Sequence, residues 1–126
     1  MKIKLYKLLT IISLIYFNVS YSATWYVDDN SDLNDVYTIG SAAGNDAASG
    51  TTSAPFKTLK HAISVAVSGD IIIVDAGFFD GAASGSDYGI NVTVDNITVQ
   101  GVGMGLTIFD SNKNKGTMLT ITANNF

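Results

Sequence analysis

The chain has no cysteine, no arginine and no glutamate, and a single proline, histidine and tryptophan. Without cysteine there is neither a disulfide framework nor a thiolate metal site. Without arginine, planar two-point capture of phosphate or carboxylate is excluded. The lone histidine, His61, has no second histidine with which to share a metal. It falls among polar positions of a helical pattern and reads as a surface residue. No catalytic site is visible in the sequence, and no catalytic, cofactor or metal residue is assigned.

What is present is one domain's worth of chain, 126 residues, 47% of them hydrophobic. All seven basic residues are lysine and all eleven acids are aspartate. Residues 1–22 read as a secretory signal: Lys2, Lys4 and Lys7 form the charged start. Leu8 to Val19 is an apolar run of twelve, too short to span a bilayer comfortably. Ser20 and Ser22 stand at −3 and −1 of a cut before Ala23, and an uncleaved anchor is the rival reading. Cleavage leaves four lysines against eleven aspartates, a net charge of −7. Such an acidic surface disfavours nucleic acid and anionic membranes. The expected location is extracellular or on the cell surface.

Residues 23–52 read as a strand, Ala23 to Val27, followed by polar loops. Asp28, Asn30 and Asp32 put oxygen ligands at alternate positions. The calcium loop that uses this spacing then needs glycine at position six and glutamate at twelve, where Leu33 and Ile39 stand. A solvated turn is therefore expected. Residues 53–69 read as a helix opening at Pro55 and closed by Gly69, with Phe56, Leu59, Ile63 and Ala66 on one face. Residues 70–126 read as short strands and turns. Ile71-Ile72-Ile73-Val74 is β-branched throughout and predicts a strand buried on both faces.

A repeat runs through this last part. Val92-Thr93-Val94 and the turn at Asn96 correspond to Leu119-Thr120-Ile121 and the turn at Asn124-Asn125, with a slightly wider offset at the end than at the start. A competing, shorter register aligns Ile73, Ile97 and Ile121. Either spacing suits the coils of a solenoid.

Several segments together resemble a known family. They are Trp25-Tyr26-Val27, Gly44-Asn45-Asp46, Gly50-Thr51, Ala54-Pro55-Phe56-Lys57-Thr58-Leu59, Gly69 to Gly77 and Asn96 to Gly101. The combination resembles the opening of a right-handed parallel β-helix of the pectate-lyase-like superfamily, and is similar to large exported proteins of Bacteroidetes-type bacteria. The resemblance implies an all-β solenoid with a short N-terminal capping α-helix. It also implies a stack that breaks off after two to three coils, its last edge waiting for further C-terminal coils or an edge-pairing partner. A structural or glycan-associated, adhesin-like surface module follows, with extracellular polysaccharide as partner and no catalysis from this segment. The alternative is the N-terminal part of a polysaccharide lyase whose active site lies in further coils. Calcium belongs to such relatives and is assigned to no residue here.

The remaining chemical candidates have plainer readings. Lys57 and Lys60 lie on the helix, away from any coil groove; Lys113 and Lys115 sit in one loop, where contact with an anionic glycan is the sharper reading and a role in solubility the plainer one. Asp75, Asp80 and Asp110 have separations that match neither register and read as turn residues. Gly101, Gly103 and Gly105 form a corner rather than a phosphate loop, because no helix pattern follows. Asn91 and Asn96 match the glycosylation pattern but read as strand and turn positions.

Overall fold

The computed structural model describes residues 21–40, 42–80, 87–111 and 117–126. Most of the signal segment, Lys113, Lys115 and part of the loop Ala82 to Gly89 lie outside them. The described residues form seven strands and one helix: β1 (Thr24–Val27), α1 (Leu59–Val65), β2 (Ile71–Val74), β3 (Gly77–Asp80), β4 (Ile90–Val92), β5 (Thr98–Gly101), β6 (Thr107–Asp110) and β7 (Leu119–Ile121). The fold is mostly β, built from short parallel sheets.

The described strands form three sheets, ordered β1-β2-β5, β3-β6 and β4-β7. Every pairing between these strands is parallel. Strands β2, β3 and β4 are therefore followed by β5, β6 and β7 in the same sheet order, each beside its predecessor. Ile71 aligns with Thr98, Gly77 with Thr107 and Ile90 with Leu119. The register that would stack Ile73 on Ile97 is excluded, because Ile73 aligns with Gln100. The other register holds at its turn but not at its start, since Val92 aligns with Ile121 rather than with Leu119. That slip of two positions preserves which face each side chain occupies.

Corners repeat along with the strands. Gly69 and Asn96 both adopt positive φ, 97° and 59°, and Asn125 does so at 54°. The Gly69 N–H donates to the Asn96 carbonyl at 3.1 Å, and the Asn96 N–H to the Asn124 carbonyl at 3.0 Å. Side chains form a ladder beside them: Asn96 Nδ2 donates to Ser68 Oγ at 3.1 Å and Asn125 Nδ2 to Asn96 Oδ1 at 3.0 Å. Asparagine tolerates the left-handed conformation and satisfies its amide on the turn above or below. This is why Asn96 stands there.

The core lies between the sheets and the helix. Val27, Leu59, Ile63, Ile72, Val74 and Ile90 belong to one buried cluster with Phe56, Phe79, Val92 and Ile97. Phe79 and Phe109, register partners on β3 and β6, stack with ring centroids 5.0 Å apart. Strand β2 is covered on both faces from Ile72 to Val74, but Ile71 is 37% exposed.

The helix is shorter than residues 53–69 and does not open at Pro55. Phe56 bridges Val27 in parallel, its N–H donating to the Tyr26 carbonyl and its carbonyl accepting from the Asp28 N–H, both at 2.9 Å. Those groups are spent on β1, so the chain is extended until Thr58. Thr58 is the N-cap, with φ −126° and ψ 140°, and its Oγ1 accepts from His61 N at 3.0 Å. The helix closes at Ala66, before Gly69. Leu59, Ala62 and Ile63 face the core, which keeps the predicted apolar face although its first member, Phe56, belongs to the extended approach.

Candidate functional site

Aspartates do the joining in this molecule. Asp70 is 1% exposed. Its Oδ1 accepts from Ala23 N at 2.7 Å, and its Oδ2 from Trp25 Nε1 at 2.8 Å and Val67 N at 2.9 Å. Burial opposes its ionisation, but these three donors outweigh it and hold the carboxyl below its ordinary value. Asp75, at the other end of β2, is fully buried. It accepts from the backbone N–H groups of Val36, Tyr37, Thr38 and Ala76 at 2.7–2.8 Å. It too is held below its ordinary value against the opposing effect of burial. One carboxylate thus ties β1 to β2, and the other pins the loop that follows β1.

Beside Asp75 stands a less satisfied pair. Asp28 is 2% exposed, and its Oδ2 accepts from Thr38 Oγ1 at 2.8 Å. The same hydroxyl lies 3.0 Å from Asp75 Oδ2, so one proton serves two carboxylates. Asp28 Oδ1 and Asp35 Oδ1 are buried with no hydrogen-bond partner. Burial first, then the like charges of Asp35, Asp29 and Asp75, push the Asp28 carboxyl up to about 6, against the Thr38 hydrogen bond. Burial and the charges of Asp75, Asp29 and Asp32 raise Asp35. Asp29 spends its oxygens on Ser31 N at 2.7 Å and Phe78 N at 2.9 Å.

Two further aspartates set the helix start. Asp46 accepts from Lys57 N, Thr58 N and Thr58 Oγ1 at 2.8–2.9 Å. Asp87, 2% exposed, accepts from Lys60 N at 2.9 Å. Burial raises its carboxyl to about 6, opposed by the Lys60 and Leu59 backbone hydrogen bonds.

These positions revise the sequence reading. Asp28 is no solvated residue, though Asp32 in the same loop is exposed. Asp75 is a buried anchor rather than a simple turn residue. Asp80 and Asp110 are register partners across β3 and β6, because that sheet repeats with a longer step than either register in the sequence suggests. His61 is half-buried, with its ring edge-on to Phe56 at 4.7 Å. Lys60 is exposed, and its Nζ donates to the Tyr88 carbonyl at 3.2 Å. Gly101 ends β5, and Gly103 and Gly105 lie in the turn to β6, where Thr107 Oγ1 accepts from Val102 N at 3.0 Å. Among the described residues no group of three or more histidines or acids is placed to hold a metal ion.

Two concavities lie beside the strands. An apolar hollow of about 290 Å³ lies between α1 and the strands, lined by Leu59, Ile63, Ile90, Val99, Phe109 and Phe126. Strands β5, β6 and β7 border this region, and among the described residues each has a hydrogen-bonded strand neighbour on one side only. A more polar cleft, also about 290 Å³, is lined by Asp29, Ser31, Asn34, Phe78, Leu106 and Ile108. The Phe78 side chain is 52% exposed there. Among the described residues no helix is long and apolar enough to cross a membrane.

No curated protein and no solved structure matches the chain. The family model described as "Protein of unknown function (DUF1565)" matches residues 42–124, from the loop ahead of Asp46 to the Asn124 corner, and the chain belongs to that family.

Proposed function

We propose that this chain is the N-terminal segment of a secreted or cell-surface right-handed parallel β-helix, structural or glycan-associated in the manner of an adhesin. The observation that carries the reading is the order of the sheets. Three parallel sheets are revisited in one sequence, β2-β3-β4 then β5-β6-β7, with corners repeating at Asn96 and Asn125. Parallel crossovers of this kind are right-handed in the great majority of cases. The DUF1565 family is associated with β-helix-like proteins, which supports the same fold.

The closed end is α1, whose Leu59 and Ile63 cover the apolar interior. At the other end β5, β6 and β7 each have one hydrogen-bonded strand neighbour among the described residues, beside exposed Leu119, Ile121 and Phe126. Exposed strand edges over an apolar interior are unfavourable unless paired. Further coils continuing the same sheets would cover both. The cleft with exposed Phe78 beside Asp29, Ser31 and Asn34 suits a sugar ring, which offers an apolar face and hydroxyls.

The test is surface protease shaving of intact producing cells, combined with affinity chromatography of the purified chain on pectate, alginate and chondroitin. Surface exposure, with retention that weakens in Phe78→Ala and no unsaturated product, is expected. Exclusive recovery from the cytoplasm would sink the reading. Production of unsaturated oligosaccharides would replace it with the N-terminal part of a lyase.

A further inference from the structure

Asp28 and Asp35 stand apart from the other aspartates of this region. Asp75 has donors on both oxygens, from Val36, Tyr37, Thr38 and Ala76. Asp29 has one donor on each oxygen. Asp28 Oδ1 and Asp35 Oδ1 are buried and have none. Asp28 is 2% exposed, and its carboxylate cannot swing free because Thr38 holds the other oxygen.

The charges acting on Asp28 are Asp35, Asp29 and Asp75, and those acting on Asp35 are Asp75, Asp29 and Asp32. All are negative, and no lysine is among them. A buried carboxylate oxygen with neither donor nor counter-charge is costly. Five aspartates, Asp28, Asp29, Asp32, Asp35 and Asp75, gathered without a cation point to a positive ligand.

We propose that Asp28 Oδ1 and Asp35 Oδ1 hold a divalent cation between the end of β1 and the loop that follows it, and that the cation is calcium. The donors are hard oxygens with no nitrogen or sulfur among them, which disfavours zinc and copper. Magnesium asks for near-ideal octahedral geometry and keeps its water, whereas calcium accepts an irregular shell. Two carboxylates have free oxygens rather than three, in keeping with the lack of a three-residue cluster among the described residues. Backbone carbonyls and water complete the shell. Asp75 and Asp29 add negative field without ligating. A site with so few charged ligands belongs to the weak extracellular class, with Kd on the order of 10⁻⁴–10⁻³ M. The alternating Asp28, Asn30, Asp32 ladder is not this site, since Asn30 and Asp32 are exposed to solvent.

The test uses the purified full chain stripped with EDTA. Thermal melts at neutral pH are run without calcium and with about 10 mM, well above the expected Kd. Terbium luminescence excited through Trp25 and Tyr37 gives stoichiometry. The wild type should gain about 5 °C or more in Tm with calcium. It should bind one terbium ion per chain, displaced by calcium. Asp35→Asn should abolish both responses, and Asp32→Asn should keep them. Asp28→Asn, which preserves the acceptor for Thr38, is the second variant should Asp35→Asn not fold. No calcium-dependent rise in Tm overturns the proposal. So does a response that survives both Asp28→Asn and Asp35→Asn, or terbium binding at several ions per chain, which marks diffuse attraction to an acidic surface.

Discussion

The indole N–H of Trp25 donates to Asp70 Oδ2 at 2.8 Å, joining the first strand to the start of the second. The same carboxylate accepts from Ala23 N and Val67 N, so one buried side chain fastens the start of β1 and the α1–β2 connection to each other. Hydrogen bonds to a buried charge are stronger than neutral ones, and removal of the acceptor leaves each donor unsatisfied.

Asp70→Ala should therefore destabilise the protein by about 3 kcal/mol or more, since three N–H donors lose their partner. Trp25→Phe removes only one of the three and should cost less, roughly 1–2 kcal/mol. Urea unfolding followed by far-ultraviolet circular dichroism checks both. Equal midpoints for Asp70→Ala and the wild type would contradict the role given to Asp70.

Leu59 is 5% exposed and faces the core from the first turn of α1. A carboxylate there would be buried among Ile63, Ile90 and Phe109 without a partner. Leu59→Asp is expected to unfold or aggregate the chain, while Lys60→Asp, one position away on the exposed side, should leave it folded. A soluble Leu59→Asp variant with a wild-type melt would show that α1 does not close the core.

These two sites show what is legible in the sequence. The apolar spacing of Leu59, Ala62 and Ile63 marks the buried face of the helix, and the β-branched run Ile71 to Val74 marks a central strand. The boundary expected at Pro55 is misplaced because the backbone of Phe56 is taken by β1, a pairing no local pattern shows. The aspartates are harder to read. An aspartate flanking a strand looks the same whether solvent or backbone N–H groups surround it. Asp70 and Asp75 bracket β2 at both ends, and that symmetry is the available signal. Asp80 and Asp110 do not show as partners because the three sheets share no single period. The step from Ile71 to Thr98 is the shortest, that from Ile90 to Leu119 is longer, and that from Gly77 to Thr107 is the longest. Turns of unequal length between the strands cause that spread.

Asp87 gives a pH dependence with a definite sign. Burial raises its carboxyl to about 6 in the folded protein, with Asp46 adding to the rise and the backbone of Lys60 and Leu59 and the Lys60 charge opposing it. In the unfolded chain an aspartate titrates near ~3.9. The folded state therefore holds the proton more tightly, and the stability this contributes is full below about pH 4 and lost as pH rises through about 6. Across that window the wild type should lose roughly 2–3 kcal/mol relative to Asp87→Asn, whose side chain does not titrate. Paired unfolding curves at pH 4, 5, 6 and 7 (about one unit apart, to bracket both values) read the difference directly. A pH-independent gap between the two proteins would contradict the assignment.

The parallel register of the sheets is tested most directly by cross-linking, because the chain has no cysteine of its own. Asn91 and Thr120 are exposed register partners on β4 and β7. Neighbouring strands lie about 4.8 Å apart, within the span a disulfide bridges. The double variant Asn91→Cys/Thr120→Cys should close an intramolecular disulfide under mild oxidation, detected as a loss of two free thiols in the intact monomer by mass spectrometry. The pair Ile73→Cys/Ile97→Cys, which the shorter register would align, should stay reduced. Closure of the second pair with the first left open would contradict the stacked arrangement of β4 on β7 and of β2 on β5.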